Sequence, residues 1–336
     1  MQRVAGLTFS EKAAWLYQHS LKISSSIVDG FYMLRVRREH VLQDSIAMLA
    51  KSSTAVMRRR LRVDFQDEPG VDGGGILREW LQLMCQEMFA ESQGLFAPTN
   101  SSQHHGYWIK RSSSGPDPQR LQLFNFFGRV LGKAVLEGLI LSVRLCIPLL
   151  KHILCAPLGL SDLRLIDETV HTSLVWILEH DNTNALSLNF TVEGHELIPN
   201  GRDVALHDGN KHLYVAKVLQ YYLCDSVDSE LKSLLRGLRS VLDDSVLHVF
   251  DYKELDLVIS GLPTIDVADW RKHSDVRYLG DNPEQEARVI EWFWDVVESF
   301  TQEQRSRLLQ FVTGSSGVPV EGFKVSEVVS GIPLMI

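Results

Sequence analysis

Cysteine is scarce in this chain and never occurs at metal-binding intervals. Across 336 residues only Cys85, Cys146, Cys155 and Cys224 occur, with no CxxC pair and no histidine at ligand spacing, which excludes a disulfide scaffold or a zinc module. The first thirty residues lack a basic segment followed by an apolar run, so no secretory leader is expected. Sequons at Asn100 and Asn189 then have no route to glycosylation. The longest apolar stretch, 134–150, is interrupted by Glu137 and Arg144. It falls short of the roughly 20 residues a bilayer span requires, and a buried helix is expected there. Positive charge is also thin, with a net charge of -8 and a pI near 5.8. The two basic clusters, at 35–38 and 58–60, sit among apolar residues at helical spacing and read as solvated helix faces. Neither nucleic acid nor membrane is expected as a partner, and the cytoplasm or nucleus is the expected location.

What is present is a globular composition, 45% hydrophobic over a length that suits one large or two ordinary domains. Residues 8–60 read as helical. Leu61, Val63 and Phe65 alternate with polar residues as a short strand, and the glycine-rich turn at 70–75 leads into a helix from about Ile76 that buries Trp80, Leu81, Met84, Cys85 and Met88. A surface loop is expected at 112–118 and a helical pattern over 121–150. The texture changes near Gly159. An amphipathic helical region at 160–179 precedes a strand with Leu186, Leu188, Phe190 and Val192 on one face, a Pro199-Asn200-Gly201 turn, and a return strand through Val204 and Leu206. Helices resume over 213–242, with Gly237 as a weak point. In the closing block Asn282 is placed to cap a helix, and Thr301 with Gln304 has the spacing of a capping box for the next, which ends at Gly314. The fold class is α+β: a mainly helical body with a small α/β subdomain inserted at about 160–215.

Several near-motifs carry no chemistry. The 70–75 glycines are not followed by Gly-Lys-Ser/Thr and do not fit GxGxxG, so a structural turn accounts for them better than a nucleotide. Gly128 and Gly132 lie within a helical pattern, where small residues serve close packing. His104 and His105 are adjacent and diverge, which fits a loop better than a metal site. No Gly-x-Ser-x-Gly elbow is present, and all four cysteines are expected to be structural. No cofactor and no metal are expected.

A series of weak blocks is informative through its order. Phe65 with Glu68-Pro69-Gly70-Val71-Asp72-Gly73-Gly74-Gly75 and Arg78-Glu79-Trp80 comes first, then Phe124, Phe126-Phe127-Gly128-Arg129 and Leu131-Gly132-Lys133-Ala134. Ser173-Leu174, Trp176-Ile177-Leu178-Glu179, Asn189-Phe190, Pro199-Asn200-Gly201, Asn210-Lys211 and Tyr214-Val215 follow, and the chain closes on Trp292-Phe293-Trp294 and Leu309-Gln310-Phe311-Val312-Thr313-Gly314. In this order they resemble the N-terminal lobe of HECT-type ubiquitin-protein ligases.

The resemblance implies residues 1–34 as a helical extension, 35–323 as the N-lobe, and 324–336 as a hinge remnant with an atypical end. It implies a hydrophobic groove in the small subdomain for a ubiquitin-loaded conjugating enzyme, lined by Val170, Leu174, Ile177, His180, Leu186, Leu188 and Tyr214, with ubiquitin itself met indirectly. The family's thioester-forming cysteine lies in a second lobe, and none of the four cysteines here has its Thr-Cys-Phe-type context. Two readings follow: a ubiquitin ligase whose chain is truncated before its catalytic cysteine, or a non-catalytic module that binds the conjugating enzyme. Substrate and linkage type are not legible.

Overall fold

A computed structural model of the chain describes residues 2–24, 30–68, 75–99, 106–112, 115, 117–262, 264–276, 283–313, 317–318 and 322–323. In chain order the described elements are α1 (Gln2–Ala5), α2 (Phe9–Ile23), β1 (Tyr32–Val36), α3 (Val41–Leu49), α4 (Thr54–Arg58), β2 (Leu61–Phe65), α5 (Gly75–Phe89), β3 (Phe96–Pro98), β4 (Tyr107–Ile109), α6 (Pro118–Glu137), α7 (Ile147–Ile153), α8 (Leu160–Arg164), α9 (Glu168–Glu179), β5 (Thr191–Val192), β6 (His195–Glu196), α10 (Lys211–Leu223), α11 (Asp228–Arg239), α12 (Asp244–Leu247), α13 (Tyr252–Ser260), α14 (Val267–Lys272), α15 (Pro283–Ser299) and α16 (Gln302–Thr313). Helices dominate, and the strands form three two-stranded sheets: β1 parallel to β2, β3 antiparallel to β4, and β5 antiparallel to β6. The fold is mainly helical α+β, as expected.

Apolar side chains gather in three cores. The largest runs from α2 to α13, a second is confined to α8–α10 and the turns between them, and a third joins α14, α15 and α16 to Val318 and Phe323. At the centre of the first, α6 and α11 approach so closely that side chains are excluded. A Cβ on Gly128 would lie 2.0 Å from the Leu234 carbonyl oxygen, and one on Gly237 only 1.9 Å from that of Asn125. Gly237 is therefore the contact point of α11, where the helical pattern alone reads it as a weakness. Next to the glycines of α6, Arg129 donates to the carbonyls of Ala50 and Ser52, and Lys133 to that of Arg59 while pairing with Glu137 at 2.7 Å. Burial pushes the Lys133 amine down, with the nearby Glu137 carboxylate opposing that shift.

Several local expectations differ from the structure. Residues 8–60 are not all helical: Tyr32–Val36 is a strand, with Leu34 paired to Val63 and Val36 to Phe65, and Leu34 and Val36 fully buried. The boundary at residue 35 falls inside this strand. The 134–150 run is not one helix; α6 stops at Gly138 in the left-handed conformation, whose φ of 66° suits a residue without Cβ, and α7 begins anew at Ile147. The 213–242 segment breaks into α10 and α11 at a short turn, Asp225–Val227. The Thr301–Gln304 capping box forms, with the Thr301 N–H donating to Gln304 Oε1 at 2.9 Å and the Gln304 N–H to Thr301 Oγ1 at 3.3 Å. Asn282, Gly314, most of the glycine turn, His104, His105 and 324–336 lie outside the described residues. No helix among the described residues is long and apolar enough to cross a membrane.

Candidate functional site: the apolar junction of the small unit

The small unit starts where Asp162, almost fully buried, accepts the Gly159 N–H at 2.8 Å and pairs with Lys151 at 2.7 Å. Asp167 then caps α9, accepting the N–H groups of Thr169 and Val170 at 3.0 Å. Along α9, Leu174 and Ile177 repeat at helical spacing and face inward, while Trp176 faces out with 43% of its surface exposed. Four residues on, the His180 ring stacks on Trp176 with centroids 4.4 Å apart, and its Nδ1 lies 2.9 Å from the Trp176 carbonyl.

Past α9 the chain must turn sharply to reach α10, and two polar side chains hold that turn. The Asp208 carboxylate accepts the backbone N–H groups of Asn182 and Thr183, each at 2.9 Å, and the Thr183 hydroxyl at 2.8 Å. These bonds, led by the Thr183 N–H, pull its pKa down to about 2. Lys211, at the start of α10, donates to the His180 carbonyl at 2.8 Å and so satisfies the end of α9, while also pairing with Asp181 at 3.2 Å. Asn182 and Ser187, both at positive φ, bracket the turn.

The strand expected over Leu186 to Val192 is not formed. Thr183–Leu186 is a 3-10 turn, Leu188 accepts the Leu206 N–H at 2.8 Å, and regular pairing is confined to the two-residue β5 and β6. Leu186 and Leu188 therefore do not share a face with Phe190. They are 37% and 38% exposed, whereas Phe190 is fully buried, edge-on to Tyr214 at 5.4 Å. The return strand through Val204 and Leu206 is reduced to a single bridge between Asn189 and Ala205. Gly201 is needed here because a Cβ would meet the Phe190 carbonyl at 2.4 Å.

The seven expected groove residues fall into two sets. Leu174, Ile177 and Tyr214 are core, with Val170 packed against them; burial pushes the Tyr214 phenol up. His180, Leu186 and Leu188 are exposed. Two further exposed apolar side chains, Trp176 and Leu213, were not among the seven; Leu213 is 50% exposed on α10. Trp176 was legible from its i, i+4 relation to His180, which places both on one stripe of the helix. Leu213 left no comparable signal. Asp208 and Lys211 tie together the end of α9, the turn after it and the start of α10, the three segments that carry the exposed set.

The thiols divide in the same way. Burial pushes Cys85 up to about 11 and Cys146 to about 12, and it raises the half-exposed Cys224, with Asp225 and Asp228 adding to the shift. Cys155, contrary to a uniformly buried set, is exposed, and its sulfur lies 3.5 Å from an Arg239 guanidinium nitrogen; Arg239 is itself paired with Asp244 at 2.8 Å. Among the described residues no cluster of three or more His, Cys, Asp or Glu side chains is placed to hold a metal ion.

Against known proteins, residues 82–332 match the profile of the HECT-domain (ubiquitin-transferase) family. The chain is 38% identical over 307 residues to the E3 ubiquitin-protein ligase ptr1 of Schizosaccharomyces pombe, a match covering 89% of this chain and 9% of that protein. It is 37% identical over 309 residues to the E3 ubiquitin-protein ligase TOM1 of Saccharomyces cerevisiae, covering 89% of this chain and 9% of that protein. It is 36% identical over 303 residues to the E3 ubiquitin-protein ligase Smurf1 of Drosophila melanogaster, covering 88% of this chain and 28% of that protein. The chain thus spans about a tenth of the length of the first two relatives and under a third of the third. With that match over most of its length, a mainly helical body and a separately cored small unit, the chain belongs to the HECT family.

Proposed function

We propose that this chain is the part of a HECT-type ubiquitin-protein ligase that receives a ubiquitin-loaded conjugating enzyme. The reading rests on one observation: the end of α9, the turn after it and the start of α10 are tied by the Asp208 and Lys211 bonds, and these segments leave Trp176, Leu186, Leu188 and Leu213 facing solvent. An apolar cluster with a polar rim suits a partner that binds, unloads and leaves. Val170, Leu174, Ile177 and Tyr214 supply its floor, and His180 covers one face of the Trp176 ring. Such chemistry belongs in the cytoplasm or nucleus, where conjugating enzymes are charged.

Ligation passes ubiquitin from the conjugating enzyme's thioester to a ligase thiolate, releasing the enzyme's thiol, and then to a lysine amine, releasing the ligase thiolate. Cys85 and Cys146 are too buried and too weakly acidic to take part. Arg239, the cation beside Cys155, is engaged by Asp244. These features favour a chain that docks the charged enzyme and leaves the acyl step to a thiol other than these four; by itself it acts as a binding module.

The test mixes the purified chain with charged conjugating enzyme. Titration calorimetry should show Leu188→Ala and Trp176→Ala each weakening binding more than about fivefold. A non-reducing gel should show no thiol-sensitive ubiquitin adduct. Unchanged affinity in both variants removes the docking site, and an adduct lost in Cys155→Ser makes this chain catalytic.

A further inference from the structure

The small unit is joined to the large one by two chain crossings, 154–159 and 224–227. Local bonds brace these crossings, among them Lys151 to Asp162 and the His152 ring to the Leu223 carbonyl at 2.7 Å. Elsewhere the two units face each other across a cleft of about 670 Å³, lined by Trp108 and Arg111 on the large side and by Asp167, Glu193 and Tyr222 on the small side. One polar cluster spans it. Arg111 Nη1 meets Glu193 Oε2 at 2.5 Å, the Tyr222 hydroxyl donates to Glu193 Oε1 at 3.3 Å, and the guanidinium lies 4.9 Å from the centre of the Tyr222 ring. Burial pushes the Tyr222 phenol up to about 12, with the Glu193 carboxylate adding to the shift, so the hydroxyl keeps its proton to donate.

Glu193 occupies a position its own hairpin does not favour. It sits between the paired residues Val192 and His195 with φ of 52°, followed by Gly194 at 82°, which is a two-residue turn that asparagine, aspartate or glycine normally fills. Glutamate in the left-handed region strains the backbone, and the side chain that this conformation carries is the one that crosses the cleft. Asparagine would relieve the turn but could not reach as far.

We infer that Arg111, Glu193 and Tyr222 form a clasp that sets the angle of the small unit against the large one. It is a soft clasp. The Arg111 and Glu193 side chains are 35% and 50% exposed, so solvent screens the pair and it favours the closed arrangement by only about fivefold. The small unit therefore swings rather than locks, and salt loosens it. This goes beyond docking and does not depend on it, because the angle exists whether or not a partner binds.

The experiment measures that angle in the isolated full chain. Spin labels at the exposed positions Thr172 and Lys232, introduced as Thr172→Cys and Lys232→Cys with Cys155→Ser and Cys224→Ser, report the separation of the two units by electron–electron double resonance. The native pairing should give one dominant distance. R111E and E193R should each lower the ratio of closed to open populations about fivefold, and the charge-swapped double variant should restore it, a recovery that a loss of packing does not produce. Glu193→Gln and Tyr222→Phe, which keep the shape of the site, should shift the population in the same direction by less. An unchanged distribution in the single variants, a double variant that fails to recover, or no shift in the two shape-preserving variants overturns the clasp.

Discussion

In the large unit Trp80, Phe124, Phe126 and Phe127 are at most 1% exposed, and the family glycines and cations of α6 serve the same interior; in the small unit Trp176, Leu186, Leu188 and Leu213 stand 37–50% exposed. Both regions are rich in family residues, but those residues are used differently. Large-unit motifs close a helix pair and satisfy buried carbonyls. Small-unit motifs, Phe190, Gly201 and Lys211, build a compact junction whose remaining apolar side chains stay outside. A motif residue is thus no guide to a contact surface until burial is known.

The contrast breaks most sharply at Gly237. Gly237→Ala drives a methyl group into the Asn125 carbonyl and should cost about 3 kcal/mol, read as a fall in the urea midpoint. A near-neutral result would mean that α6 and α11 can separate at little cost. Next is the pair Tyr214→Ala and Leu188→Ala. Removing the buried Tyr214 ring should cost about 3 kcal/mol of stability, because it leaves a cavity against Phe190. Leu188→Ala should cost under about 1 kcal/mol of stability while still weakening the conjugating enzyme. Equal stability losses would erase the distinction between floor and rim.

The smallest effect sharpens the junction itself. Because the Asp208 carboxylate titrates near 2 in the folded chain, below its ordinary 3.8, the folded state is the one that holds the charge better. Its contribution is complete above the ordinary value and disappears as pH falls through about 2. Asp208→Asn should therefore flatten that part of the acid-unfolding curve and lower stability above about pH 5 by an amount that does not vary with pH. An NMR titration placing Asp208 near 3.8 would dissolve the clamp.

Much of the large unit was legible because its signals are local. The buried stripe of α5, the Thr301–Gln304 cap and the close-packing glycines Gly128 and Gly132 each follow from spacing or residue size. β1 was hidden because its parallel partner lies some thirty residues on, and five residues between helices give little period-two signal. The expected strand at Leu186 failed for the opposite reason. Its alternation was real, but positive φ at Ser187 and the Asp208 clamp fold the segment into a turn, so the apparent face is divided between core and solvent. Site residues suffered the same confusion, since Tyr214 and Leu188 are equally apolar in a string of letters.

By itself the sequence determined the class of fold, the order of its blocks and the absence of spaced metal ligands, because those depend on residue type and interval. The tertiary structure alone decided which apolar side chains remain outside, that Asp208 and Lys211 join the ends of α9 and α10, and that Arg111 reaches Glu193 across 82 residues of chain. Exposure and cross-chain contact are properties of how elements pack, and packing brings together residues whose separation in sequence carries no trace of the meeting.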